Sequence, residues 1–228
     1  MIKAAIIGMG KMGLLHGSTL SSFDDVDFIG FSDDNKIMVD TFKKLKPDWI
    51  INKNYKDFLY NNDIDVVFIT TPISTHYEII KVCIEKNISF FVEKPAFHSL
   101  DQANSLSSIL PQFSGKSMVG YMMRFISTFQ KTKELINQSL IGDIRYFEGN
   151  MYISQLFKEG KGWRYDPKLS GGGVVVHQTC HLLDLINWFL GFPNYIGAIT
   201  NNWFSPNVED HAHITLKYNN NLFGWVDS

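Results

Sequence analysis

Residues 2–13 read IKAAIIGMGKMG, and the fold turns on how that run is punctuated. Ile2–Ile7 is an apolar strand; Gly8, Gly10 and Gly13 follow at once in GxGxxG spacing, and a helical stretch continues to about Leu20. In such a strand–turn–helix the first glycine makes the tight turn, the second lets the backbone approach a pyrophosphate, and the third lets helix and strand pack closely. A lone GxGxxG says little; a strand before it and a helix after it give the spacing its meaning. Gly8, Gly10, Lys11, Met12 and Gly13 are therefore expected to line a dinucleotide site. A second strand over 26–31 ends at Ser32, Asp33 and Asp34, so Asp33 falls twenty residues after Gly13. A carboxylate there accepts hydrogen bonds from the adenosine ribose hydroxyls of NAD and repels the 2′-phosphate of NADP. NAD is the expected cofactor. NADP is the alternative, since Lys36 is near enough in sequence to reach a phosphate.

Working outward, strands at 49–51, 66–70, 88–92 and 117–120 alternate with helices at 35–45, 54–60, 76–86 and 99–110. Asp34 is available to cap the first of these helices, and Ser74 or Thr75 the third. Steady alternation of this kind is a doubly wound parallel sheet, with a boundary near Gly120. The stretch ISFFVEKP at 88–95 carries the chemistry. Its apolar run stops at Glu93, Lys94 and Pro95, as a buried parallel strand ends. Ligands of an open α/β sheet bind outside the carboxyl ends of the strands, so Lys94 is the first catalytic candidate. The alternative is a solvated charge pair at a strand end.

Beyond Gly120 the texture changes. A helix is expected over 125–140, and strands over 144–153, 195–203, 211–218 and 222–226, the last two joined by a turn at 219–221. Successive strands without helices between them indicate an α+β domain with an antiparallel sheet. From about His181 an amphipathic helix turns Leu182, Leu185, Ile186 and Phe189 inward and ends at Gly191. The expected organisation is a Rossmann domain over 1–120 and an α+β domain over 121–228.

Composition narrows the function. The chain has 228 residues, 45% hydrophobic and 19% charged, as in ordinary globular proteins. A net charge of -2 gives no electrostatic reason to expect nucleic acid. No apolar run reaches the roughly 18 residues of a membrane span, and the opening stretch reads as a first strand rather than a signal peptide, so a cytoplasmic protein is expected. Cys83 and Cys180 make neither a CxxC nor a zinc spacing. Both are expected to be buried reduced thiols, and no metal site is expected.

With these stretches in order, the sequence resembles the glucose-fructose oxidoreductase, inositol dehydrogenase and rhizopine catabolism (Gfo/Idh/MocA) family. The resemblance rests on Gly8 to Gly13, Asp33, the TPxxxH of residues 71–76, the EKP of residues 93–95, the GYxxRF of residues 120–125, the Trp163–Arg164 pair, and the SGGG of residues 170–173 with His181 and Asp184 downstream. It implies that Lys94 lies near the nicotinamide and the reacting hydroxyl, that the SGGG segment shapes a substrate pocket, and that His181 is a catalytic partner. It extends the cofactor contacts to Thr70, Thr71, Pro72, His76 and Glu93, and the substrate contacts to Arg124, Trp163, Arg164, His177 and His181. Two departures stand out. The family pattern GGGxxxDxGxH has an aspartate and a glycine where this chain has His177 and Thr179. The family's second domain also continues past the point where this chain stops, so a partial domain with an unpaired strand edge is expected.

The function implied is an NAD(P)-dependent oxidoreductase moving a hydride between nicotinamide and a secondary alcohol or ketone of a sugar, cyclitol or related polyol. Lys94, His181 and His177 handle the proton. The alternatives are an inactive NAD(P)-binding regulator and a reductase of imines or conjugated double bonds. A homo-oligomer built on the second sheet is expected, because Ile196, Ile199, Phe204 and Phe223 would otherwise leave an apolar face in water.

Overall fold

β1 (Ile2–Ile7) is apolar at consecutive positions because both of its faces are covered: Ala4, Ala5, Ile6 and Ile7 are at most 2% exposed. The computed structural model describes residues 1–153, 162–219 and 221–228, in two compact units, Met1–Gly120 and Tyr121–Ser228. In the first unit β1 shares one sheet with β2 (Val26–Ser32), β3 (Ile50–Asn52), β4 (Val66–Ile69), β5 (Ser89–Val92) and β6 (Ser117–Val119). The order is β3-β2-β1-β4-β5-β6, and every pair is parallel. The crossovers carry α1 (Lys11–Leu20), α2 (Lys36–Leu45), α3 (Tyr55–Asn61), α4 (Ile73–Glu85) and α5 (Leu100–Ile109). Between β1 and β4 the strand order reverses, which opens the crevice where open α/β sheets bind ligands.

Each face of this sheet has its own core. Ala5, Ile7, Val67, Ile69, Phe90 and Val92 pack with Phe58, Leu59, Ile79, Ile80 and Leu106. Ala4, Ile6, Phe28 and Phe31 pack with Met9, Leu20 and Val39 on the other. Phe31 and Phe58 are wholly buried, and truncating either to alanine is worth about 3–5 kcal/mol.

Two helix starts differ from expectation. Asn35, not Asp34, caps α2, its side-chain oxygen accepting the N–H groups of Ile37 at 2.9 Å and Met38 at 3.3 Å. α4 begins at Ile73 with Pro72 in the cap position, so neither Ser74 nor Thr75 is a cap. The Thr75 hydroxyl instead reaches back to the Pro72 carbonyl and the Thr71 hydroxyl, at 2.8 and 2.7 Å.

In the second unit the expected helix over 125–140 is present but shorter at both ends. A 3₁₀ turn, Met122–Phe125, is followed by an extended Ile126 and then α6 (Ser127–Asn137). β7 (Tyr146–Asn150), α7 (Pro167–Ser170), α8 (Cys180–Leu190), β8 (Tyr195–Asn201), β9 (His211–Lys217) and β10 (Phe223–Asp227) complete it. The sheet order is β7-β10-β9-β8, antiparallel except for β7 with β10. Ala212, Ile214, Leu216 and Val226 form the core with Ile186, and Leu182 packs against them. Phe189 turns the other way, toward Phe129 of α6 at 6.3 Å between ring centres.

The last strand is not an unpaired edge: β10 lies between β9 and β7, and the edges are β7 and β8. Nor do the four apolar residues share one face. Register places Ile196 beside Leu216 on the side that α8 covers, though at the sheet edge it stays exposed, and Ile199 beside His213 and Phe223 beside Lys217 on the other, while Phe204 lies in the loop before β9. The expected turn at 219–221 falls partly outside the described residues. Cys83 is buried and its thiol is pushed up to about 12 by that burial, whereas Cys180, at the start of α8, is partly exposed.

Candidate functional site

In the first unit the sequence-predicted residues gather at the carboxyl ends of β1, β2, β4 and β5. Gly8 has φ +93, and a Cβ there would lie 2.7 Å from the Thr71 side chain; one on Gly13 would lie 2.2 Å from the Gly8 carbonyl. Both positions therefore require glycine for the turn and for close packing of α1. A Cβ on Gly10 would meet nothing within 4 Å, so this glycine keeps open the approach to the helix N-terminus. Gly10 is the N-cap of α1 and makes no side-chain cap, which leaves the first N–H groups of the helix directed at that space. Lys11 and Met12 stand in this first turn. The set fits a dinucleotide pyrophosphate.

Asp33 is held in place by backbone: Oδ2 accepts the Met9 N–H at 2.6 Å and Oδ1 the Asn35 N–H at 2.8 Å. A carboxylate has about four acceptor sites, so these two bonds orient it and leave capacity for ribose hydroxyls. The Thr70 hydroxyl donates to the Gly8 carbonyl at 2.5 Å and ties the end of β4 to the glycine turn.

His76 departs from the role given it by resemblance. It is 1% exposed, with Nε2 at 2.9 Å from the Thr71 carbonyl and Nδ1 at 3.1 Å from the Pro95 carbonyl. Neither ring nitrogen is presented to a ligand. The side chain instead bridges the two segments that follow β4 and β5, those of Pro72 and of Lys94. Burial pushes the imidazole below its ordinary value, partly opposed by the Thr71 and Pro95 carbonyls. Glu93 is engaged by His16 of α1, Nε2 to Oε1 at 2.9 Å, an ion pair when the imidazole is protonated. Lys94, half-buried, follows it directly.

In the second unit Arg124 makes a two-pronged salt bridge to Asp184, Nε to Oδ2 at 2.7 Å and Nη2 to Oδ1 at 2.6 Å. The guanidinium fastens the turn after Tyr121 to α8. Trp163 stands edge-on to His177 at 5.4 Å, and the exposed Arg164 lies over the Trp163 ring at 4.5 Å. His181, 8% exposed, faces the Tyr121 ring edge-on at 6.2 Å. Burial pushes the Tyr121 phenol up to about 12.

The SGGG segment is held from a distance. Glu209 accepts the N–H of Gly173 at 2.8 Å and of Val175 at 3.1 Å through its side chain, and that of Val174 at 2.8 Å through its own carbonyl. Three consecutive donors at the head of a helical run are thus satisfied by one residue. That run opens with a wide π-type turn, Val175–Thr179, which contains His177, and continues into α8 with His181. Thr179, in the family's glycine position, is fully buried; its hydroxyl donates to the Val174 carbonyl at 3.2 Å and hydrogen-bonds the Ser228 hydroxyl at 2.7 Å. His16 and Glu209 escaped the sequence reading, and Thr179 entered it only as a departure from the family's glycine. A histidine one turn after Gly13, on a helix that must face the sheet, was the available signal for the first.

The family model described as "Oxidoreductase family, NAD-binding Rossmann fold" matches residues 2–121, and that of the Gfo/Idh/MocA C-terminal domain matches residues 129–228. The chain belongs to the Gfo/Idh/MocA oxidoreductase family. Its first unit is an NAD-binding Rossmann domain. Among curated relatives, the uncharacterized oxidoreductase YrbE of Bacillus subtilis is 23% identical over all of this chain and 67% of its own length. The myo-inositol 2-dehydrogenase of Thermotoga maritima is 22% identical over all of this chain and 68% of its own. A solved levoglucosan dehydrogenase, in complex with NADH and levoglucosan, shares the fold with a TM-score of 0.90 at 19% identity, over 99% of this chain and 66% of that one. The chain thus spans about two thirds of the length of these relatives.

Proposed function

We propose that this Gfo/Idh/MocA chain serves an NAD(P)-dependent oxidoreductase that interconverts a secondary alcohol and a ketone on a sugar, cyclitol or related polyol. The observation that carries the reading is the glycine turn beside Asp33 at the β1/β4 reversal, with Lys94 leaving the same sheet edge two strands away. A nicotinamide dinucleotide bound there supplies the hydride acceptor or donor. The chain's own part is to orient and to move a proton. The Gly8–Gly13 turn and the α1 N-terminus hold the pyrophosphate, Asp33 takes the ribose hydroxyls, and Lys94 in its amine form accepts the proton of the substrate hydroxyl, or returns it as ammonium. From the second unit, His181 and His177 are the proton and pocket residues, with Trp163 and Arg164 on the substrate side. His177 can both donate and accept a proton but offers no fixed negative charge, unlike the aspartate of the family pattern. The polyol class is supported by the inositol and levoglucosan dehydrogenases among the relatives.

A panel of inositols and sugars, each with NAD and with NADP and followed at the reduced-nicotinamide absorbance, tests this. Turnover of at least one polyol is expected. NAD binding by fluorescence with no turnover across the panel would replace the reading with that of a non-catalytic nucleotide binder.

A further inference from the structure

The chemistry proposed above makes no use of His16, yet this side chain is turned into the sheet at the point where that chemistry is set. It lies on α1 one turn after Gly13, its ring 5.0 Å from that of Phe91 and 5.6 Å from that of Phe68. Phe68 and Phe91 are register partners on β4 and β5, so the imidazole rests on a stacked aromatic pair. From there its Nε2–H donates to Oε1 of Glu93, the residue that follows β5. Phe91 and Glu93 are two residues apart and share a side of the strand. Its other oxygen lies beside Gly120, 3.4 Å from where a Cβ there would stand. Among the described residues, His76 of α4 feels the charge of Glu93, and Lys94 is next to it in the chain.

We infer that His16 is a positioning residue for Lys94: by fastening Glu93 to α1 it keeps that carboxylate off the lysine, so that Lys94 can exist as the amine a proton acceptor must be. The inference rests on the proton-transfer reading of Lys94. Its physical basis is that a carboxylate within about 4–6 Å of a lysine favours the ammonium form and raises the titration midpoint by about 1–3 units. A lysine that begins one residue from a glutamate is useful as a base only where that glutamate is held elsewhere. The helix that does the holding is the one whose N-terminus meets the pyrophosphate, which places the anchor of the dinucleotide and the anchor of Glu93 on one rigid element.

Competitive acetylation of the full chain between pH 6 and 11, quantified by mass spectrometry on the peptide containing Lys94, reads the lysine without any substrate. His16→Ala is expected to move the Lys94 midpoint upward by about one pH unit or more. His16→Phe, which keeps the ring packing on Phe68 and Phe91 but has no donor, should show the same rise and serves if the alanine variant does not fold. His16→Gln, which keeps an N–H for Glu93, should stay near wild type, and His16→Phe with Glu93→Gln should return there. An unchanged midpoint in His16→Phe overturns the inference, and so does a rise that survives Glu93→Gln. Failure to turn over any polyol would sink the proposed function while leaving this measurement intact.

Discussion

At Lys94 the functional reading can be separated from a structural one by asking what its loss leaves behind. The pyrophosphate and ribose contacts come from the glycine turn and Asp33, so Lys94→Met should bind NAD about as tightly as wild type. Turnover of a confirmed polyol should fall by about 10²- to 10⁴-fold, the usual contribution of a positioned acid or base. Full turnover in the variant would move the proton role to His181 or His177. Asp33 gives the matching prediction for the cofactor. Asp33→Ser removes a carboxylate whose charge-assisted hydrogen bonds are each worth about 1.5–3 kcal/mol, so NAD affinity should drop at least about tenfold while discrimination against NADP narrows. Titration of both cofactors by fluorescence checks it, and tighter NADP binding by the unaltered chain would reverse the preference. The strand-end positions of Lys94 and Asp33 were legible in the sequence for one reason: each follows an apolar run that stops where a buried parallel strand stops. His76 was legible as a conspicuous residue but not as a bridge, because the carbonyls it meets come from Thr71, five residues before it, and from Pro95, nineteen residues after it. Glu209 was not legible at all; the amides it satisfies lie 34 and 36 residues earlier, and nothing local marks an acid for that purpose.

Elements in the first unit were read well because each obeys its own period: buried parallel strands as continuous apolar runs, helices between them. In the second unit the helix expected over 125–140 starts two residues late because Ile126 is extended, and apolar periodicity carries no trace of one extended residue. The π-type turn before α8 is hidden for the same reason. That turn depends on a glycine without alternatives: a Cβ on Gly173 would lie 1.8 Å from the Glu209 carbonyl oxygen, and both are backbone-bound. Gly173→Ala should therefore lower the melting temperature and, by displacing the segment with His177, lower turnover more than cofactor binding. Glu209→Ala should do the same more mildly. The α4 bridge has a pH signature. His76 is held below its ordinary value, so the unfolded chain takes up a proton first as pH falls below about 6.5, and stability declines from there through the folded-state value. Above that range the group imposes no penalty. Thermal melts between pH 7.5 and 5 should show wild type losing stability more steeply than His76→Asn, even though the variant starts lower; equal slopes would mean that His76 does not set the dependence.

At the scale of the molecule, what the second sheet leaves uncovered is the larger consequence. α8 packs on one side of it over β9 and β10, and the opposite side carries Tyr146 on β7, Phe223 and Trp225 on β10, and Tyr195 and Ile199 on β8. Tyr146 lies 5.3 Å from Phe223 and 5.0 Å from Trp225 between ring centres, so these form a continuous aromatic surface rather than scattered exposed residues. His211, His213 and Asp227 interrupt it along the middle of the sheet, with both imidazoles within 3.6 Å of one carboxylate oxygen. Contiguous apolar patches beyond a few hundred Å² mark interaction sites, and a stable interface needs about 800 Å² from each partner, a size a four-stranded face can supply. A homo-oligomer joined through this side of the sheet is the expected state. The face is narrower than apolarity in the sequence suggested, since Ile196 lies on the other side of the sheet, where it is 62% exposed at the β8 edge, and Phe204 belongs to a loop. Substitution distinguishes these positions. Ile199→Asp together with Phe223→Asp should give a monomer by light scattering at micromolar concentration with the melting temperature nearly kept, because both side chains are at least 48% exposed. Ile196→Asp, off that face, should leave the assembly intact. A monomeric wild type, or an assembly that survives the double substitution, would place the contact somewhere other than this sheet.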